Sequence, residues 1–192
     1  MTDAATERVP LAPPVDPDTP RVLMPLARGL AAVNRVLLVA GMVALLVASV
    51  VLTYSVVSRY FMHASTDWQD EAAVFCLVGA TFLCSAFVQQ LRGHIGIEAV
   101  ASWLPASANR IRLLLVDAIC MLFCALFAWK SYTLLHEAWV DKQTTSSSWA
   151  PPLWIPYGLM AAGMMLLTLQ IAVQLAARIN GFKLRRAAAR TA

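Results

Sequence analysis

Charge is what this 192-residue sequence has least of: Asp, Glu, Lys and Arg make up 14% of it, against roughly 25% in an ordinary soluble domain. Long stretches carry none, and 59% of the residues are hydrophobic. Such a chain cannot clothe a globular surface in polar groups, so lipid is its expected solvent. The small basic excess, a net charge of +4, flanks the apolar runs and suits anionic headgroups, which argues against nucleic acid as a partner. Cysteine is sparse and misplaced for a disulfide framework, because Cys76, Cys84, Cys120 and Cys124 all fall inside apolar runs. A quinone-linked thiol oxidase would need reactive pairs in its loops. Cys120 and Cys124 lie one helical turn apart and read as small packing residues. Histidine is as scarce. His63, His94 and His136 fall in loops or at helix ends on different sides of the membrane, so they cannot form the paired axial ligands of a membrane haem. No catalytic constellation, metal cluster or cofactor motif emerges, and no enzyme is expected. An inverted internal repeat, the mark of a complete secondary transporter, is also missing.

What the sequence does have is apolar length. Residues 36–58 carry no charge and reach the ~20 residues needed to cross about 30 Å of hydrocarbon. Further spans are expected over about 72–91, 111–132 and 153–177, giving an all-α membrane protein with four transmembrane helices. The first span lacks the carboxylate on which small multidrug transporters depend. Before the membrane domain, taken as 29–178, residues 1–28 hold six prolines among scattered charges and are expected to be a disordered tail. Residues 179–192 form a basic tail.

Four crossings put both termini on one side, and the basic residues say which. With the N-terminus inside, twelve of the 15 Lys and Arg residues lie on the inner side, and only Arg59, Lys130 and Lys142 lie outside. The expected topology therefore has both termini cytoplasmic. Between spans two and three, Ile97, Val100, Ala101 and Leu104 recur at helical spacing and stop at Pro105. That pattern predicts a short amphipathic helix lying in the headgroup region.

Polar residues concentrate between spans one and two, from Arg59 to Glu71. Thr66 with Gln69 has the capping-box spacing, and Asp67, Asp70 and Glu71 sit where the positive end of a helix dipole favours carboxylates. Capping, with Tyr60 and Trp68 in an interfacial belt, accounts for the cluster. The alternative is a partner-binding surface in which Arg59 pairs with one of the carboxylates. His94 stands between Gly93 and Gly96 just past span two. Asp117 is the carboxylate inside a span; at about 7.5 Å along the helix from Arg112 it is expected to pair with Arg110 or Arg112 near the headgroups. A coupling role for Asp117 is the competing reading. Pro151, Pro152 and Pro156 surround the start of span four, where a missing N–H costs little.

Three passages resemble one family. Ser58-Arg59-Tyr60-Phe61 followed by Trp68 and Glu71 is similar to the passage that opens the second helix of DctQ-like small membrane subunits of tripartite ATP-independent periplasmic (TRAP) transporters. Gly93-His94-Ile95-Gly96-Ile97-Glu98 with Leu104-Pro105 resembles that family's inner loop, and Pro152-Trp154-Ile155-Pro156-Tyr157 its approach to helix four. The resemblance covers about residues 35–177. Departures are Cys84 or Ser85 in place of a common glycine, and Glu98 in place of a frequent aspartate. It implies a bacterial inner-membrane permease subunit that scaffolds a large multi-spanning partner for ion-coupled uptake of an organic anion delivered by a periplasmic substrate-binding protein. It also marks Arg59, Trp68, Glu71, His94 and Asp117 as candidate partner-interface residues. The alternative from another class is a membrane anchor for a quinone-linked redox enzyme, with a site near His94, Trp103 and Asp117.

Overall fold

A computed structural model of the chain describes residues 19–63, 66–91 and 106–191. Four long helices account for nearly all of them: α1 (Met24–Met62), α2 (Asp67–Gln90), α3 (Ala106–Val140) and α4 (Trp154–Thr191). A 3-10 turn at Arg21–Leu23 leads into α1, and Pro25 sits in the first turn, where its missing N–H is harmless. Each helix contains a stretch long and apolar enough to cross a membrane, so the fold is that of a multi-pass all-α membrane protein. The helices outrun the spans expected from uncharged length. α1 begins at Met24, within the region read as a tail, because Arg28 and Arg35 interrupt hydropathy without interrupting backbone hydrogen bonding. The predicted interfacial helix over 97–104 lies outside the described residues, as does His94.

The helices stand in a row and not in a closed bundle. α1 packs on α2, α2 on α4, and α4 on α3, so the spatial order is α1–α2–α4–α3. Burial follows that order: the most apolar window of α4 is 39% buried, whereas those of α1 and α3, at the edges, are 11% buried. The end holding the α1–α2 and α3–α4 turns is called the loop end here, and the opposite one the terminal end.

The α1–α2 joint is a seam of small residues. Ala27, Asn34, Gly41, Ala48 and Ser55 are all buried and recur every seventh position, with Leu30 and Ser58 beside them. A seven-residue repeat keeps one stripe facing one neighbour along the whole helix. Small side chains let the backbones close in, which is how helices gain dispersion energy where lipid is as apolar as leucine. Gly41 is the tightest point, since a Cβ there would strike Cys84 Sγ and lie 3.6 Å from Ala80 Cα. α2 and α4 run parallel and close. A Cβ on Gly163 would collide with the backbone carbonyl of Phe82, and one on Gly79 would come within 3.2 Å of Leu159. The α3–α4 joint is bulkier: Cys124 and Ala128 meet Met164 and Ile171, with Met121, Leu167 and Phe82 packed around them. Phe82 also stacks on Phe127, ring centroids 6.3 Å apart, which ties α2 to α3 over the top of α4.

Candidate functional site

Polar side chains in the spans gather at two levels. At the loop end, Arg59 on the last turn of α1 reaches across to α2. Its Nη2 lies 2.8 Å from Asp70 Oδ2, and its Nε donates to Thr66 Oγ1 at 3.2 Å. Ser55, one turn back, donates to the other Asp70 oxygen at 2.9 Å. Asp70 is thus held from two successive turns of α1. The Thr66 carbonyl accepts the N–H groups of Gln69 and Asp70 and so closes the first turn of α2. Its hydroxyl makes no cap bond, because Arg59 occupies it. The capping-box expectation therefore fails: the hydroxyl serves the neighbouring helix.

At the terminal end the chemistry is neutral. Asn34 of α1, 0% exposed, donates to Gln90 Oε1 of α2 and Gln170 Oε1 of α4, each at 3.1 Å. Gln89 Nε2 donates to Gln174 Oε1 at 2.9 Å, and Gln174 Nε2 returns a bond to the Gln89 carbonyl at 3.0 Å. Five carboxamides thereby knot three helices together. Sequence inspection missed this knot because amides carry no charge and leave an apolar run unbroken; the spacing of Gln89-Gln90 against Gln170 and Gln174 near span ends was the available signal.

The α3–α4 hairpin has a clamp at each end too. Near the terminal end Arg178 Nη1 lies 2.9 Å from Asp117 Oδ2 and donates to the Leu113 carbonyl at 3.3 Å. The carboxylate expected to pair with Arg110 or Arg112 is joined across the hairpin by Arg178; Arg112 bonds Asn109 on its own helix, and the Arg110 side chain lies outside the described residues. At the loop end Trp139 and Trp154 meet edge to face, 5.1 Å between centroids. Beyond them residues 141–153 fold back as a tight hairpin, in which Leu153 N–H bonds Gln143 O at 3.0 Å and Thr145 N–H bonds Pro151 O at 3.1 Å.

The two levels are one hydrocarbon core apart. At 1.5 Å per residue, Asn34 to Ser55 is about 32 Å, Asp70 to Gln90 about 30 Å, Asp117 to Trp139 about 33 Å and Trp154 to Arg178 about 36 Å, against a core of about 30 Å. The two sets of contacts are therefore spaced like the two faces of a hydrocarbon core, with mostly apolar packing between them; Ser131 and Thr168 in that stretch bond carbonyls of their own helix, and Lys130 is exposed.

Of the residues singled out from the sequence, the structure brings Arg59, Trp68 and Glu71 to the same end. Arg59 is engaged by Asp70 rather than Glu71, and Trp68 is exposed on the first turn of α2. Glu71 is half-buried, with Oε2 enclosed and accepting no hydrogen bond. Asp117 sits at the opposite end of the protein and belongs to a different contact. Among the described residues no group of three or more His, Cys, Asp or Glu side chains could hold a metal ion.

Known proteins share this pattern of sequence. The chain is 25% identical over 149 residues to the isethionate TRAP transporter permease protein DctMQ of Oleidesulfovibrio alaskensis, a match covering 74% of this chain and 23% of that one. It is 26% identical over 153 residues to the C4-dicarboxylate TRAP transporter small permease protein DctQ of Vibrio cholerae, covering 67% of this chain and 66% of the relative. The matches thus span less than two thirds of either relative. No solved structure matches. The sequence profile of one family, tripartite ATP-independent periplasmic transporters, DctQ component, aligns with residues 48–181, which include the Arg59–Asp70 and Asp117–Arg178 contacts, and the chain belongs to that family.

Proposed function

We propose that this chain is the small permease subunit of a TRAP-type secondary transporter and serves as the immobile scaffold for a large, multi-spanning permease subunit. The observation that carries the proposal is where the polar groups go. Arg59, Asp70, Asn34, Gln90, Gln170, Asp117 and Arg178 are all consumed in contacts between this chain's own helices. A translocation path needs polar groups turned toward a cavity near the midplane, whereas this row joins its helices by polar contacts at two levels, and hydroxyls between them, such as Ser131 and Thr168, bond carbonyls of their own helix. The fused relative, named as a DctMQ permease, supports a large permease as the partner.

In this reading the protein lies in a bacterial inner membrane, with the terminal end in the cytoplasm and the loop end facing the periplasm. The excess of Lys and Arg assigned to the terminal end supports that orientation. The large subunit carries substrate and ion through the membrane, and a periplasmic substrate-binding protein delivers an organic anion. Arg59, Trp68 and Glu71 lie on the side that the binding protein approaches and help define its landing surface. The alternative of a redox anchor is not favoured, since the matching family and relatives are transporter permeases.

Purification of the tagged chain from its native membranes in mild detergent tests the proposal. A stoichiometric many-spanning membrane protein is the expected companion. A soluble oxidoreductase subunit, or no companion, overturns it. Alanine at Arg59, Trp68 and Glu71 should lower uptake by the assembled complex without dissociating it, and unchanged uptake would remove these residues from the landing surface.

A further inference from the structure

We propose that the notch between α3 and α4 at the loop end holds one acyl chain of a phospholipid from the adjoining leaflet. The notch is lined by Tyr132, Leu135, His136, Trp139, Trp154 and Gly158 and encloses about 450 Å³. Its depth follows from the clamps. Measured from Asp117 along α3, Tyr132 stands about 22 Å and Trp139 about 33 Å away; measured from Arg178 along α4, Gly158 stands about 30 Å away. The notch therefore straddles the outer limit of a core about 30 Å thick, where acyl chains meet their ester groups and where Trp and Tyr collect.

Its shape selects the occupant. The Trp139–Trp154 contact roofs it, so the notch runs for only two turns of α3 and cannot continue as the groove that a partner helix would need. A flexible hydrocarbon chain fits a short, open notch edged by aromatic side chains. His136, exposed at the rim, offers a ring N–H to an ester or phosphate oxygen at the level where those oxygens lie. Gly158 keeps the floor open: a Cβ there would already stand 3.7 Å from Leu135 Cδ1, and a larger side chain would occupy the recess.

The test is native mass spectrometry of the full chain, purified in mild detergent with palmitoyl-oleoyl phosphatidylethanolamine and phosphatidylglycerol present. Wild type should retain one phospholipid per chain, and Gly158→Leu and Leu135→Trp, which fill the recess, should lower that occupancy at least fivefold. Val43→Trp, on the lipid-exposed side of α1, should leave it unchanged. Equal retention by the filled variants overturns the proposal. So does cross-linking of Leu135→Cys to a protein subunit in native membranes, because a polypeptide would then cover the notch. Should the filled variants fail to fold, wild type and the Trp139→Phe, Trp154→Phe double variant are compared in vesicles containing a dibrominated phosphatidylcholine. Loss of at least half of the tryptophan quenching in the double variant supports the site, and undiminished quenching overturns it.

Discussion

Among the described residues, the α1–α2 hairpin is fastened at both ends by hydrogen-bonded polar side chains, whereas the α3–α4 hairpin has the Asp117–Arg178 ion pair at one end and a pair of indoles at the other. The difference tracks what lies between the clamps. Along α1 the seam is Ala, Gly and Ser, which pack closely but would pack almost as well after a slip of one heptad. Polar partners at each end remove that freedom, since a slipped register would leave amides and a carboxylate unbonded in hydrocarbon. Between α3 and α4 the packed side chains are Met121, Cys124 and Ala128 against Met164, Leu167 and Ile171, of unequal size, which define register by shape. There the Asp117–Arg178 contact fastens the terminal end, and the loop end is left to aromatic rings.

The largest effect is expected where that contrast is sharpest. The Asp117–Arg178 side chains are 15% and 20% exposed, whereas Asp70 and Arg59 are 48% and 63% exposed. Arg178→Ala removes the cation 2.9 Å from a largely buried carboxylate and should destabilise the fold by up to about 3–5 kcal/mol, read as a fall in detergent thermal-unfolding temperature. The double variant Asp117→Leu, Arg178→Met should recover most of the loss. If it does not, the pair has a role beyond closing the hairpin.

The next effect sets the two kinds of seam against each other. Gly41→Val forces a side chain into Cys84 and the α2 backbone and should cost about 1–3 kcal/mol, whereas Gly158→Ala meets ordinary van der Waals contact and should be nearly silent. Equal costs in the same assay would mean that the α1–α2 seam is looser than its geometry. Asn34→Ala removes the donor shared by Gln90 and Gln170 and should cost about 1–2 kcal/mol, with faster hydrogen exchange confined to α1. Smallest is Arg59→Ala. An ion pair this exposed is worth about 0.2–1 kcal/mol and is screened by salt, so the stability change should shrink further in high salt. Any larger consequence for uptake then reports the partner.

Much of this fold was legible beforehand, and the reason is physical. A long apolar run with few or no charges has few alternatives to crossing the membrane, so all four helices could be placed, the third despite Asp117 inside it. Helix ends were less legible, because Arg28, Arg35 and Glu137 stop a hydropathy run but are tolerated by helical backbone. The order of the row could not be read at all: Gly163 against Phe82 and Gly41 against Ala80 are contacts between segments that no local pattern pairs. At the loop end the sequence pointed to Arg59 and a carboxylate but not to Asp70, since Asp67, Asp70 and Glu71 are equivalent until α2 has a rotation about its axis. Asp117 was recognised as needing a cation, but Arg178 could not be named for it because that residue is adjacent only in three dimensions.

Clamps at two fixed levels also make the protein a gauge of the membrane around it. In a bilayer markedly thinner than the separation between them, the two rungs of a hairpin cannot both reach headgroups while the helices stand upright, so the row must lean as a unit or the lipid must thicken beside it. Bilayers of graded acyl-chain length would then change the inclination of the whole slab, and with it the angle at which anything bound along its flank meets the membrane plane.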